Sequence, residues 1–235
     1  MINEETSKTD YSLEAKALTE TLKEAYKNSL YLFTQQCLGY KDVNWETHGS
    51  IFKALEAPTK RKLIVVPRGS FKSTICCVSY PIWLLIRNPN ERIFIDSEVF
   101  TNSSNFLREI KAHLESTNLT ELFGTFKTSE NWTAGSLTIA QRTKVYKESS
   151  ITCGGVGTVK VGQHYSVIVG DDYNSPQNSE TKENREKVIR HYRYNQSILE
   201  PEGTMVIVGT RYSEGDLIGH ILKEEINLET GGLLR

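Results

Sequence analysis

The chain has 235 residues and sets 28 lysines and arginines against 29 aspartates and glutamates, for a formal charge of −1. Apolar residues make up 38 % and glycines number 16. This ordinary globular composition excludes a wholly disordered chain and a disulfide-stapled miniprotein. Balanced charge provides no global attraction for nucleic acid, so such a partner has to be argued from local features.

The opening MINEETSKTD lacks the basic and apolar regions of a secretory signal, and residues 1–11 are polar and expected to fray. From Ser12 to about Leu38 the apolar positions Leu18, Leu22, Tyr26, Leu30, Phe33 and Cys37 recur every three or four residues, predicting one amphipathic helix. A second helix is predicted from Thr47 to Leu55, ahead of a break at Pro58. Short β-rich runs follow at Leu63–Pro67, Arg92–Asp96, Leu137–Ala140, Ser150–Cys153, Ser166–Gly170 and Thr204–Gly209, separated by helical stretches. Several of these runs are continuously apolar, as strands buried on both faces are. The fold class read from them is α/β, a mostly parallel sheet flanked by helices, with an N-terminal helical extension. Between Phe123 and Gly162 the helical period fades and Gly, Ser and Thr accumulate, which predicts an antiparallel excursion or a long loop.

The apolar stretch Ile75 to Ile86 is interrupted by Ser79, Tyr80 and Pro81 and falls short of the ~20 residues of a bilayer span. Pro81 predicts a kink or short break in the helix that contains it. Cys37, Cys76, Cys77 and Cys153 show no CxxC spacing, so they read as reduced, buried thiols of a cytosolic protein.

Three strand ends carry chemistry. LIVVPRGSFKST, Leu63 to Thr74, joins an apolar strand to a helix through a loop ending in Lys-Ser. Proteins with such a loop hold phosphates on successive backbone N–H groups and a helix N-terminus, with a lysine neutralising charge. Lys72 would then reach the β- and γ-phosphates and Ser73 Oγ would sit on Mg²⁺. The match to GxxxxGK[ST] is imperfect, because Val66 and Phe71 stand where glycines are expected; alone, the segment also fits a basic turn. Nearby Lys60, Arg61 and Lys62 read as a solvated turn.

YSVIVGDDYNSP, Tyr165 to Pro176, is an apolar strand ending in Asp171 and Asp172. ATPases with an extra strand between the phosphate-loop strand and the acidic strand use two such carboxylates in turn. The first orients Mg²⁺ and the second orients and deprotonates the attacking water. Asp172 is one methylene shorter than the usual Glu, and alone the pair also fits a turn capping a strand. A two-metal site would need more carboxylates, for which Asp96 and Glu98 are available. TMVIVGTRYSEGDLIGHIL, Thr204 to Leu222, ends a third apolar strand in Gly209-Thr210-Arg211-Tyr212, and a Thr-Arg pair beside a phosphate site can sense the γ-phosphate.

Together these pieces resemble the ATPase domain of the large terminase subunit of tailed bacteriophages, a DNA-packaging motor. PRGSFKST resembles that family's variant Walker A loop, VIVGDD its Walker B strand, and GTRYSEGDLIGHIL its coupling motif with the following helix. Weaker similarity covers Leu30 to Leu55, Arg92–Ser97, and the stretch from Asn184 through Pro201-Glu202-Gly203. The resemblance implies a P-loop NTPase of the ASCE type. It divides the chain into a helical extension at 1–56, an ATPase core at 57–222, and at 223–235 the start of a linker toward an RNase H-type nuclease domain. No DNA cleavage is expected of this chain.

The implied activity is Mg²⁺-dependent hydrolysis of ATP coupled to movement of double-stranded DNA into a procapsid. The implied assembly is a homo-oligomeric ring with the portal protein and the small terminase subunit, in the cytoplasm of an infected bacterial host and away from membranes. By residue, the resemblance implies that Lys72 and Ser73 bind phosphate and Mg²⁺, and that Gly69, Ser70, Phe71 and Thr74 complete the cradle. It implies that Arg68 contacts the γ-phosphate or links to neighbouring motifs. Asp171 would hold Mg²⁺, Asp172 would activate water, and Thr210 and Arg211 would relay nucleotide state. The chain departs from the family in the loop GGVGTVKVGQHY. An arginine offered to the adjacent subunit is often found there, whereas this chain has Gln163 after Gly162. Lys160 or Arg142 would have to substitute, and neither matches by position.

Two rival readings stand beside this one. A helicase-like translocase would need a second motor domain. A nucleotide-gated assembly module with little hydrolysis is left open by the short Asp172 and the missing loop arginine. Lys182, Arg185, Lys187, Arg190 and Arg193, interleaved with Tyr192 and Tyr194, suit either a DNA backbone or a solvated helix face. Trp132 reads as a packing anchor. The histidines show no metal-ligand pattern, and His164 is the one that sequence places near the acidic strand.

Overall fold

A computed structural model describes residues 3–225 except 159, with the side chains of 14–223; residues 226–235 of the expected linker fall outside the described residues. The chain opens with α1 (Asn3–Asn28), so the expected frayed start is helical from Asn3 onward. The single helix predicted to Leu38 is interrupted at Ser29. That residue is extended and accepts a hydrogen bond from the Leu32 amide, capping α2 (Leu30–Leu32) and its π-helical continuation Phe33–Cys37. Helix α3 (Trp45–Glu56) is capped by Asn44 in the same way. Its Glu56 carboxylate accepts from the Leu30 amide at 2.7 Å, tying the end of one helix to the start of another.

Strand β1 (Arg61–Val65) leads through a loop into a helix that starts at Lys72 and runs unbroken to Arg87. The break expected at Pro81 does not occur. Residues Thr74–Ser79 are π-helical, with the Tyr80 amide donating to the Ile75 carbonyl, before α4 (Tyr80–Arg87). The wider turn accommodates a proline that has no N–H to give. The remaining elements are β2 (Ile93–Ser97), α5 (Phe100–Leu114), α6 (Thr117–Phe123), β3 (Ser136–Leu137), β4 (Ile151–Gly155) and β5 (Tyr165–Asp171). They are followed by α7 (Pro176–Ser179), α8 (Lys182–Ser197), β6 (Leu199–Gly209), and α9 (Leu217–His220), which continues as a π-helical turn Ile221–Glu225.

Among the described residues the sheet has six strands in the order β1-β6-β5-β2-β4-β3, parallel throughout except for β3 against β4. Between Phe123 and Gly162, where an antiparallel excursion or a long loop is expected, the two-residue β3 pairs antiparallel with β4 and irregular segments flank it. Each central strand sends alternate side chains to opposite faces, as its pleat requires. Ile93, Ile95, Val167, Val169, Val206 and Val208 pack with Phe33, Phe52, Ile75 and Leu107 on one face. On the other, Phe94, Ile168, Met205 and Ile207 pack with Val188 and Tyr192 of α8 and with Leu217. Both faces of the sheet are buried, which is why these strands read as continuous apolar runs.

Lys62, expected in a solvated turn, is 8 % exposed. Its ammonium donates to the carbonyls of Ala54 at 2.8 Å and Ala57 at 2.5 Å, where a cation completes the C-terminus of α3. All four cysteines are free and buried. Among the described residues no helix is long and apolar enough to cross a membrane.

Because Tyr26, Leu30 and Phe33 join the cluster that covers the sheet, the N-terminal helices contribute to the stability of the whole. Phe33→Ala is expected to destabilise the protein by about 3–5 kcal/mol in a single cooperative transition followed by urea denaturation. A separate early transition for these helices would contradict this.

Candidate functional site

The C-terminal ends of β1, β5 and β6 converge, and the segments that leave them form the site. Strand β6 lies between β1 and β5, so the loop leaving β1 has to cross its end to reach β5. The loop turns through left-handed conformations at Gly69 (φ 78°) and at Phe71 (φ 52°). Phe71 therefore adopts the backbone that the expected glycine would have taken, in a region uncommon for non-glycine residues. Its ring packs edge-on against the buried imidazole of His48 at 5.6 Å, an anchor a glycine would lack. Ser70 turns inward, its hydroxyl donating to the Pro67 carbonyl at 2.7 Å. The residues Gly69 to Thr74 line a depression of about 310 Å³.

The helix beginning at Lys72 carries its first side chains to the acidic strand end. The Ser73 hydroxyl faces both oxygens of Asp171, at 2.9 and 3.0 Å, sharing its one proton between them. The Lys72 ammonium is 3.6 Å from Asp172 Oδ2, with Lys72 only 6 % exposed. Thus four of the predicted residues meet as two pairs, Ser73 with Asp171 and Lys72 with Asp172. Asp171 is 4 % exposed. Burial first, then the neighbouring Asp172 charge, push its carboxyl up to about 7, against the pull of Ser73 and Lys72. Asp172 takes φ 41°. Its amide donates to the Val208 carbonyl at 2.9 Å, and its Oδ1 is buried without a hydrogen-bond partner among the described residues. The end of β6 lies beside it, where a Cβ at Gly209 would stand in ordinary contact, 3.4 Å from that oxygen.

Arg68 is exposed and turns away from these pairs. Its guanidinium donates to the Tyr212 hydroxyl and lies 5.7 Å from that ring's centre. Arg68 thereby contacts the segment that follows β6. Thr210 Oγ1 is buried with no partner among the described residues, and Arg211 is exposed, its Nε 3.4 Å from the Ser213 carbonyl. Asp216 holds this segment in place. Fully buried, it accepts from the amides of Tyr212 at 2.7 Å, Ser213 at 3.0 Å and Gly219 at 2.8 Å. An N-cap aspartate ahead of an apolar run is the local signal that marks it.

Several expectations are corrected. His164 lies at the opposite end of β5 from Asp171, about 23 Å away along an extended strand. The histidines beside the site are His48, against Phe71, and His191. Arg142 is tied within its own chain, donating to the carbonyls of Glu148 at 2.6 Å and Glu91 at 3.3 Å and lying against Tyr146. Asp96 is fully buried and bonded to Tyr173, His191 and Asn195, while Glu98 accepts from Ser175 and from Asn178 at 3.1 Å. Among the described residues no group of three or more His, Cys, Asp or Glu side chains could hold an ion. Tyr192 is 2 % exposed and belongs to the core rather than to a basic face. Trp132 packs against the core as expected, with the Lys111 ammonium over its ring. Comparison with protein-family models and with curated proteins finds no match.

Two measurements check this geometry. Phe71→Ala keeps a side chain at a left-handed position and loses the His48 contact, whereas Phe71→Gly loses the contact and the strain together. The glycine variant is expected to be the more stable of the two by about 1 kcal/mol in denaturant unfolding. Because Asp171 is raised in the folded protein from 3.8 to about 7, the native state binds its proton more tightly than the unfolded one. That stabilisation is complete at pH below the unfolded value and is lost as pH rises through the folded one. In the presence of a chelator, melting temperatures of Asp171→Asn should therefore fall less than those of wild type between about pH 4 and 7.

Proposed function

We propose that the chain is a Mg²⁺-dependent ATPase of the P-loop class, of the type with one strand between the phosphate-loop strand and the acidic strand. More particularly, we propose that it is the motor domain of a large terminase subunit of a tailed bacteriophage, which uses ATP hydrolysis to drive double-stranded DNA into a procapsid. The observation that carries the first step is the pairing of Ser73 with Asp171 and Lys72 with Asp172 across β6. The second step rests on the terminase-like motifs at all three strand ends, supported by the Arg68–Tyr212 link between two of them.

In this reading the backbone of Gly69 to Lys72 and the helix N-terminus cradle the phosphates, and Lys72 exchanges its contact with Asp172 for one with phosphate oxygens. A hydroxyl and a buried carboxylate facing each other at 2.9 Å fit a hard cation. Ser73 and Asp171 would hold Mg²⁺, which when bound neutralises phosphate charge. Asp172, with one oxygen buried and unpartnered, takes the proton of the water that attacks the γ-phosphorus. As the new O–P bond forms, the bond to the bridging oxygen breaks, leaving ADP and phosphate. Phe71 and Thr74 shape the loop, and Arg68 carries its displacement to Tyr212 and so to Thr210 and Arg211. The ring of subunits, the portal protein, the small terminase subunit and the infected host's cytoplasm belong to the same proposal. Since Arg142 is tied in its own chain, Lys160 is the remaining candidate to complete a neighbour's site.

The deciding experiment measures Mg²⁺-dependent ATP turnover and ATP binding over a wide range of protein concentration. Turnover is expected to rise more than linearly with concentration and to vanish in Lys72→Ala. Asp172→Asn is expected to lose about 100-fold or more in turnover while still binding ATP. Equal ATP binding by wild type and Lys72→Ala would overturn the reading. Binding without turnover at any concentration would select the nucleotide-gated module.

A further inference from the structure

The end of β5 is gripped from both faces of the sheet, and only one grip belongs to the phosphate loop. Asp171 faces the helix that begins at Lys72. On the opposite face Tyr173, the residue after Asp172, folds back over its own strand. Its ring lies so close to Gly170 that a Cβ there would approach ring carbons to 2.5 and 2.6 Å and the hydroxyl oxygen to 2.7 Å. The Tyr173 hydroxyl donates to Asp96 Oδ2 at 3.0 Å, and the same oxygen accepts from His191 Nε2 at 2.6 Å and Asn195 Nδ2 at 2.7 Å. Asp96 Oδ1 accepts from the Ser97 amide at 3.1 Å. Asn195 Nδ2 also donates to the Tyr173 hydroxyl at 2.9 Å.

The tautomer of His191 follows from its other contact. The Gly157 amide, which can only donate, lies 3.3 Å from Nδ1, so the ring proton is on Nε2 and points at Asp96. Tyr173 is held at its backbone too, where Asn178 Nδ2 donates to its carbonyl at 2.7 Å. Asp96 is fully buried, as is Asn195, and Tyr173 is 2 % exposed. A carboxylate buried among polar groups is a poor way to add stability, since apolar residues of similar volume commonly do as well or better. Its directional bonds do specify one conformation, and the conformation they specify is that of the residue next to Asp172.

We propose that Asp96, His191 and Asn195 form a buried clamp on Tyr173 that fixes the left-handed turn at Asp172, making Tyr173 a positioning residue for the hydrolytic step. The last clause rests on the ATPase reading above. Two of the three clamping side chains come from α8 and one from β2, so the placement of Asp172 depends on side chains outside the phosphate loop and its helix. His191 also ties in the loop after β4 through Gly157.

The test uses Tyr173→Phe, which keeps the ring over Gly170 and removes only the hydroxyl, together with His191→Leu and His191→Gln. Turnover, ATP binding, melting temperature and amide hydrogen exchange are measured on each. Tyr173→Phe and His191→Leu are expected to lower kcat by about 10- to 100-fold, with ATP affinity and KM within about twofold of wild type. Exchange at the Asp172 amide is expected to quicken about 10-fold or more while that of Val169, earlier in the same strand, is unchanged. His191→Gln keeps an N–H donor for Asp96 and is expected to recover much of the lost rate. Rates that follow melting temperature instead of the presence of that donor would mean a structural role alone and overturn the proposal. So would wild-type kcat and unchanged Asp172 exchange in folded Tyr173→Phe. A wild type that neither binds nor hydrolyses ATP would refute the ATPase reading. Asp172 exchange would then decide the clamp separately, quickening in its favour or unchanged against it.

Discussion

A carboxylate that is 4 % exposed at the end of a parallel strand needs partners close by, and Asp171 finds them at the start of the helix that begins at Lys72. The contact between Ser73 and Asp171 constrains most of the surrounding structure. The strands that deliver the two residues are separated by β6, and two interstrand steps amount to about 10 Å. The loop after β1 has to cross that distance and present a helix N-terminus, with its partial positive charge, toward the acidic strand end. The left-handed turns at Gly69 and Phe71 redirect the chain as the crossing requires. Phe71 can adopt an unfavourable backbone because His48 holds its ring, so the N-terminal helices shape the loop as well as cover the sheet.

The same strand end is constrained from behind. Because side chains alternate across a sheet, adjacent positions at the end of β5 look into different environments. Asp171 looks toward the helix that begins at Lys72, while Gly170, without a side chain, leaves its side open to the ring of Tyr173. Asp172 lies beyond the last paired residue and is free of that alternation. Its position comes from the Val208 carbonyl that receives its amide, from Lys72, and from the residue that follows it. A left-handed aspartate costs of order 1–3 kcal/mol and persists only when its surroundings over-determine it. Constraints from both faces of the sheet meet that condition.

The outer segment Thr210 to Asp216 works on a different principle. It has little apolar surface of its own and is organised by one buried carboxylate, Asp216, which collects three backbone amides. Arg68 reaches across to its tyrosine from the loop after β1. Arg68 thus joins the two loops, and the base of the segment is anchored by Asp216.

Much of this was legible in the residues. The six apolar runs follow from periodicity and composition, and the turn after β1, the paired aspartates and the third strand end are marked by short motifs; all are local properties of the chain. What local reading missed has one cause. His164 stands next to the acidic strand in sequence but at its far end in space, because a strand extends about 3.3 Å per residue. His191, discounted because it matched no spacing, is within 2.6 Å of Asp96 on a different strand. Lys62 and Tyr192 carry the residue types of exposed positions and are buried because of what packs over them, and Ser29 ends a helix because its hydroxyl caps the next. The amino-acid sequence by itself determined the α/β class, most of the strands and which strand ends carry charge. Tertiary structure alone decided which charges meet, because strand order and the face of each side chain depend on how distant segments cross.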